Sequence, residues 1–294
     1  MDAPFNQVPP LTSWEGLFNF WNSNPDAVPF AGGIQFLHFQ GKRAPALPRK
    51  LIALEDIEEL HLVTRTEQYL ELGAMVRLSE IIHLGTIVPE ILRKCLEGIA
   101  GPQLRNSATI GGNICTTLRY MDSCAALIAL DAHYELRSMP SVPPASFTLS
   151  SLFSTQSSTR WIAASRFTPA SLAPRELLTR IRIPLESWNY SLYRKFRCSD
   201  LDRPNLDDGV IVLLLRNQKD ILTDIRIVFA GRTVLKDKRT ESLLSGKHLP
   251  LNCKDARAAI AQWETCLATL PPEQSFIRTE LSNFVTSSLL GLVD

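Results

Sequence analysis

A glycine pair occurs twice in this chain, and each pair is framed so that little but a tight turn fits it. The first, Ala31-Gly32-Gly33, follows the short apolar run Val28-Pro29-Phe30. The second, Ile110-Gly111-Gly112-Asn113, lies in a stretch from Ile99 to Cys115 that also holds Gly101-Pro102. Glycine takes φ > 0 without a Cβ penalty, so such a pair can turn back sharply and aim successive backbone N–H groups at an anion. A diphosphate needs several such donors, because its dense charge must be desolvated. Thr109, Asn113 and Thr116 would add hydroxyl and amide hydrogen bonds. On residues alone, each pair reads first as an ordinary turn. Neither is a Walker A loop or a G-x-G-x-x-G fingerprint, which argues against a Rossmann site. The whole stretch from Ile99 to Cys115 reads as loop.

Around these turns the chain alternates short elements. Thr12 and Glu15 have capping-box spacing, and Trp14, Leu17, Phe18 and Trp21 follow at helical intervals until Asn24-Pro25-Asp26. Val28 to Phe30, Pro48 to Leu54, Gln68 to Gly73, Tyr134 to Leu136 and Glu176 to Ile183 read as strands. Asp56 to Leu60 reads as a helical turn, and Leu78/Ile81/Ile82, Leu92/Cys95/Leu96 and Asp122 to Asp131 read as helices, with Pro89 opening the second. The Ser/Thr/Pro-rich span from Ser138 to Pro174 reads as loops and short strands. Beyond Pro184 the grammar changes: Ser191 to Phe196, Gly209 to Leu215 and Leu222 to Ala230 are strand-like. Helices follow over Asp255 to Leu267 and Phe276 to Leu289, the second with Ile277, Leu281, Phe284 and Ser288 on one face. Strands followed by helices predict an α+β module.

Composition narrows the function. With 45% hydrophobic residues in 294, the chain can build a core. Lys+Arg total 31 and Asp+Glu 30, a net charge of +1 that argues against a dedicated nucleic-acid binder. No apolar run approaches the ~18 residues of a membrane span, and Met1-Asp2-Ala3-Pro4 does not begin a signal peptide. The six cysteines form no C-x-x-C pair, so reduced thiols in a cytoplasmic protein are expected. The five histidines are scattered, so no metal site is assigned. Neither a Ser-His-Asp arrangement nor a G-x-S-x-G elbow is present, and hydrolase chemistry is not supported.

The full string Ile99-Ala100-Gly101-Pro102-Gln103-Leu104-Arg105-Asn106-Ser107-Ala108-Thr109-Ile110-Gly111-Gly112-Asn113-Ile114-Cys115-Thr116 resembles the second FAD-binding loop of the flavin subunits of the molybdenum hydroxylases. That group includes xanthine dehydrogenase, carbon monoxide dehydrogenase and aldehyde oxidase. The family pattern is G-x-x-Q-I-R-N-x-A-T-I-G-G-N. Ala31-Gly32-Gly33-Ile34-Gln35 resembles the family's A-G-G-T-D. Glu176-Leu177-Leu178-Thr179 through Pro184 is similar to the strand that closes its FAD domain. Tyr193-Arg194-Lys195-Phe196 and Ser275-Phe276-Ile277-Arg278 resemble two motifs of its C-terminal domain. The likeness runs through essentially the whole chain in the right order.

The resemblance implies an α+β fold. A two-subdomain FAD-binding domain would span residues 1–185, with the subdomain boundary near 55–60, and a smaller α+β C-terminal domain would span 186–294. It implies that Pro29, Phe30, Ala31, Gly32, Gly33, Ile34 and Gln35 wrap the diphosphate and ribityl of FAD. Thr109, Gly112, Asn113 and Thr116 would hold the diphosphate from the other side, and Ile99 and Leu178 would pack near a ring. Asp122 matches an acid that hydrogen-bonds the cofactor, and Lys195 a lysine close to the isoalloxazine, where a positive charge favours reduced flavin. Taken alone, Asp122 before Ser123-Cys124-Ala125 also reads as a helix N-cap, and Lys195 between Arg194 and Arg197 as a basic edge. The chain departs from the family at Ile34 and Gln35, where a Thr and an acid are usual. It departs again at Leu118 and Arg119, where Ser-Pro is usual, and Arg119 is placed either on a phosphate or in solvent.

The implied function is an FAD-binding electron-transfer subunit, with no catalytic side chain of its own. A large subunit would carry molybdopterin and a small subunit two 2Fe–2S clusters, and electrons would pass from FAD to NAD+ or oxygen. The alternative is a degenerate, FAD-free assembly subunit of the same kind of complex. A self-contained flavin oxidase of the vanillyl-alcohol-oxidase type is disfavoured by the C-terminal motifs around Lys195 and Arg278.

Overall fold

Helix α1 (Trp14–Ser23) buries Leu17, Phe18 and Trp21 on one face, as the spacing predicts. Its cap is Ser13 rather than Thr12: Ser13 Oγ accepts the Gly16 N–H at 3.2 Å. The computed structural model describes residues 11–38, 48, 50–117, 119–138, 158–197 and 208–293. Met1 to Pro4, Leu118, Cys198, the side chain of His38 and the central part of the Ser/Thr/Pro-rich span (139–157) lie outside the described residues.

In chain order there follow β1 (Val28–Phe30), α2 (Ile34–His38), β2 (Leu51–Ala53), β3 (Val63–Arg65), β4 (Tyr69–Gly73), α3 (Leu78–His83) and α4 (Glu90–Glu97, capped at Pro89). Next come α5 (Pro102–Ser107), α6 (Ile110–Ile114), α7 (Asp122–Ala129), β5 (His133–Ser138), β6 (Ser158–Ala163) and β7 (Glu176–Pro184). The last set is β8 (Tyr190–Phe196), β9 (Gly209–Gln218), β10 (Ile221–Ala230), β11 (Val234–Lys236), α8 (Lys238–Leu244), α9 (Cys253–Leu267) and α10 (Ser275–Leu290). The fold is α+β.

The stretch read as loop from Ile99 to Cys115 is mostly helical. Pro102 starts α5, where a missing N–H costs nothing. Thr109 caps α6 by accepting the Gly112 N–H at 3.2 Å. Two helices of five and six residues carry too little periodicity to stand out from a glycine-rich sequence.

The chain forms two compact units. The first comprises Met1–Ile87, Ala100–Thr116 and Ala132–Pro184; the second comprises Val88–Ile99, Thr117–Asp131 and Leu185–Asp294. The expected span 1–185 therefore contributes residues to both.

In the first unit, β1 and β2 pair in parallel. A separate five-stranded antiparallel sheet has the order β3-β4-β7-β5-β6. Strand β7 lies at its centre, with Leu177, Leu178, Thr179, Ile181 and Ile183 buried. Glu176, at its start, is buried and takes two bonds from Arg160, at 2.6 and 2.7 Å, and one from the Ala173 N–H at 2.9 Å. The Arg160 hydrogen bonds hold the Glu176 carboxyl below the usual carboxylate range, outweighing its burial. A depressed folded-state pKa gives stability that is present above the unfolded carboxyl range and lost as pH falls through the folded value. Glu176→Gln is therefore expected to lower the unfolding free energy by about 1 kcal/mol at pH 7, the half-exposed Arg160 limiting the effect. The gap from wild type should close in urea titrations run in acid, below the folded value; a gap that persists there would rule out the ionic origin.

In the second unit the antiparallel sheet β11-β10-β9-β8 is covered on both faces. On one face Ile211, Leu213, Leu215, Ile225, Ile227 and Phe229 pack with Trp263, Leu267, Ile277, Leu281 and Phe284 of α9 and α10. Side chains alternate across a strand, so Val210, Val212 and Leu214 turn to the other face, where α7 packs on β9 and β10. Two covered faces explain why Val210 to Leu215 is an unbroken apolar run.

Candidate functional site

Strand β1 ends where the Phe30 carbonyl accepts the Leu54 N–H at 3.1 Å. The chain then turns through Ala31-Gly32-Gly33, with Gly33 at φ +71°, into α2. Gly32 is pressed against the other glycine segment: a Cβ on it would stand 1.7 Å from the Ser107 carbonyl oxygen. The two segments singled out in the sequence thus meet inside the first unit. Among the described residues, the N–H groups of Ala31, Gly32, Gly33 and Ile34 have no acceptor. Consecutive unmatched backbone donors beside a left-handed glycine are the kind of arrangement from which an anion-binding turn can be built. Pro29, Phe30, Ala31, Gly32 and Ile34 are half-buried and Gln35 is exposed, while Phe36 stacks on Phe30 at 5.9 Å.

The second segment is used differently from the expectation. Its backbone donors are already spent within the unit. Ile110 N–H goes to the Val76 carbonyl at 2.9 Å, Gly111 N–H to that of Ala74 at 2.8 Å, and Asn113 N–H to that of Thr109 at 2.9 Å. Gly112 N–H goes to Thr109 Oγ1. Gly111 is glycine because a Cβ would lie 2.7 Å from the Ala74 Cβ and 2.8 Å from its carbonyl. The Thr109 hydroxyl accepts one bond and keeps its proton to donate, whereas Thr116 donates to the Gly112 carbonyl at 3.1 Å. Thr109, Asn113 and Thr116 are buried. Leu178 is buried in β7 opposite Leu136.

Ile99, Asp122 and Lys195 belong to the second unit. Asp122 is the first residue of α7 and not its cap, which is Met121. Its side chain is 1% exposed. Lys195 Nζ lies 2.6 Å from Asp122 Oδ2 and 2.9 Å from the Gly98 carbonyl oxygen. Arg119 is neither solvated nor free for a phosphate. Its side chain is 11% exposed and sits 3.5 Å from Asp122 Oδ1, and it donates to the Asp208 carbonyl at 3.3 Å. Burial, reinforced by the Asp122 carboxylate, pushes the Tyr193 phenol up, and burial likewise raises the Cys95 thiol. Cys124 is pushed up to about 11 by burial. These thiols stay protonated and inert at neutral pH.

Sequence reasoning singles out both glycine segments, Asp122 and Lys195, whereas the contacts of Ser107 and Gly98 and the pairing of Arg119 come from the structure. Nothing local marks Gly98 or Ser107.

Residues 8–186, more than half of the chain, match the family described as FAD binding domain in molybdopterin dehydrogenase. The carbon monoxide dehydrogenase medium chain of Afipia carboxidovorans is 27% identical over 252 residues, 83% of this chain and 81% of that protein. The xanthine dehydrogenase of Oryza sativa subsp. japonica is 24% identical over 246 residues. That match covers 76% of this chain but only 16% of the rice protein. Among solved structures, quinoline 2-oxidoreductase from Pseudomonas putida 86 aligns over 96% of this chain and 95% of its own, with a TM-score of 0.73 at 19% identity, a likeness of fold.

Proposed function

The chain belongs to the family of FAD-binding domains in molybdopterin dehydrogenases, and from that premise we infer that it is the FAD-carrying, electron-transferring part of an oxidoreductase of the xanthine dehydrogenase and carbon monoxide dehydrogenase type. The observation that carries this reading is the run of N–H groups from Ala31 to Ile34 with no acceptor among the described residues. A diphosphate is an acceptor-only group, and these donors suit it. Ile34 contributes its backbone N–H but lacks the further hydroxyl donor a threonine would add. Thr109, with its donatable proton, faces the same role from the second segment, while Gly112, Asn113 and Thr116 shape that wall. Pro29, Phe30 and Gln35 flank the first turn, and Leu178 offers apolar packing to a ring from the first unit. Residues 1–185 are assigned as the FAD-binding domain and 186–294 as the C-terminal domain.

Bound FAD would supply the junction between one-electron carriers and a two-electron acceptor. The chain's own residues bind and orient it, and none is assigned as nucleophile or proton donor. The partners that follow are a molybdopterin-bearing large subunit and a small subunit with 2Fe–2S clusters, with NAD+ or oxygen as acceptor. The FAD-carrying reading gives these donors a use that an FAD-free assembly role does not.

The first test is an absorption spectrum of the purified chain, before and after FAD is added, with release of the flavin by precipitation. Bands near ~450 nm and roughly one FAD per chain are expected. A colourless protein that takes up no added FAD would overturn the reading.

A further inference from the structure

The second unit is assembled from three separate pieces of chain, and one side chain ties all three. Lys195, on β8 in the last piece, donates to the Gly98 carbonyl at the end of the first piece and to Asp122 in the second, at 2.9 and 2.6 Å. Arg119 completes the link by joining Asp122 to the Asp208 carbonyl of the last piece. Tyr193, on the same strand, seats its hydroxyl on Gly98, where a Cβ would stand 2.0 Å from it.

The place of these residues in the chain gives the cluster its consequence. The first piece ends at Ile99 and the second begins at Thr117. Between them runs Ala100–Thr116, the excursion into the first unit that carries Ser107, Thr109, Gly111 and Gly112. It opens at Ala100, whose φ of +47° makes a sharp turn, with its carbonyl accepting from Arg105 at 2.7 Å. Gly98 stands just before the excursion leaves, and Arg119 and Asp122 just after it returns. Lys195 therefore pins both feet of one loop from the third piece of chain.

We propose that Lys195, Asp122 and Arg119 are positioning residues that fix the stem of the 100–116 segment, and by closing its two ends favour the ordered form of the stretch that carries Ser107 and Thr109. The proposal rests on the FAD reading above for its functional consequence but not for its geometry. Exposed ion pairs hold little, because water and salt screen them. Here the carboxylate is 1% exposed and the ammonium 16%, so screening is slight. Removing one member leaves a buried charge without its partner, which costs more than the intact pair is worth.

The test uses the full chain and two readouts, hydrogen–deuterium exchange of amides 107–116 and FAD titration by flavin fluorescence. In Lys195→Met, exchange in that segment should rise roughly tenfold and the FAD Kd by a similar factor, the scale of one lost charge-assisted bond. Exchange in β4 and β7 should stay as in wild type. Lys195→Arg keeps donors for both partners and should restore both readouts to within about threefold. Arg119→Gln is the milder companion if Lys195→Met does not fold, with a smaller rise in the same segment. Unchanged exchange over 107–116 in Lys195→Met, or in Arg119→Gln where only that variant folds, overturns the proposal. So does a rise spread evenly over the five-stranded sheet. If wild type takes up no FAD while exchange responds as described, the FAD reading fails and the positioning role stands.

Discussion

Gly32→Ala is expected to abolish FAD binding. The added methyl would sit 1.7 Å from the Ser107 carbonyl oxygen and 2.8 Å from its carbonyl carbon. Both atoms are backbone, so no side-chain rotation relieves the overlap, and either the first turn or the end of α5 must move. Forced overpacking of this kind costs about 3 kcal/mol or more, and here it falls on the turn that presents the four open N–H groups. Gly33→Ala is the instructive comparison. Gly33 has φ +71°, so alanine there pays only the left-handed penalty of roughly 1–2 kcal/mol. Gly101→Ala serves as control, since its new methyl would meet only the mobile end of Gln103 at 3.2 Å. The expected order of FAD loss in equilibrium titration is Gly32→Ala, then Gly33→Ala, then Gly101→Ala. A Gly32→Ala protein that binds FAD within about threefold of wild type would refute the idea that this contact sets the site.

The same contact shows where the sequence was legible and where it was not. Both glycine pairs could be found, because the residue type itself signals φ > 0 or close approach. That Gly32 meets Ser107, 75 positions away, could not be found, because the contact is between backbones and neither partner has a side chain that advertises it. The periodic elements α1, α4, α9 and α10 and the strands β7, β9 and β10 were readable from one apolar face or an apolar run. Strand β3 was not: its three residues are all exposed. Helix α8 escaped notice although Asp237 caps it with bonds to the Arg239 and Thr240 N–H groups. The second glycine segment reads in the sequence as a turn able to present backbone donors. Its glycines serve close packing on Ala74 and a cap on Thr109 rather than supplying open donors.

Asp122 and Lys195 illustrate a different limit. The resemblance pointed at both residues and assigned each to the cofactor. Their mutual pairing spans 73 positions of sequence and depends on how three chain pieces come together, which no local pattern encodes. Arg119, standing where the family has proline, also draws on the same carboxylate.

The strand that carries Lys195 belongs to a sheet backed by α9 and α10, and Trp263 is the largest side chain in that backing, fully buried. Trp263→Ala is expected to destabilise the second unit by about 3–5 kcal/mol, from lost transfer energy and the cavity left between α9 and the sheet. At roughly 2–4 °C per kcal/mol for a chain of this size, that is a drop of about 10 °C in Tm. Trp263→Phe should cost clearly less. It keeps an aromatic ring in place and removes an indole N–H that has no acceptor among the described residues, so part of the packing loss is offset by relief of a buried, unmatched donor. The ordering is the informative result. If Trp263→Phe were as damaging as Trp263→Ala, the indole N–H would have to be making a bond, and the helix layer would be held by polar specificity. If both were mild, the layer would not be what holds the sheet. If alanine alone is severe, burial on this one face keeps β8 in register with β9, and the position of the Lys195 ammonium rests on apolar packing on the far side of the same sheet.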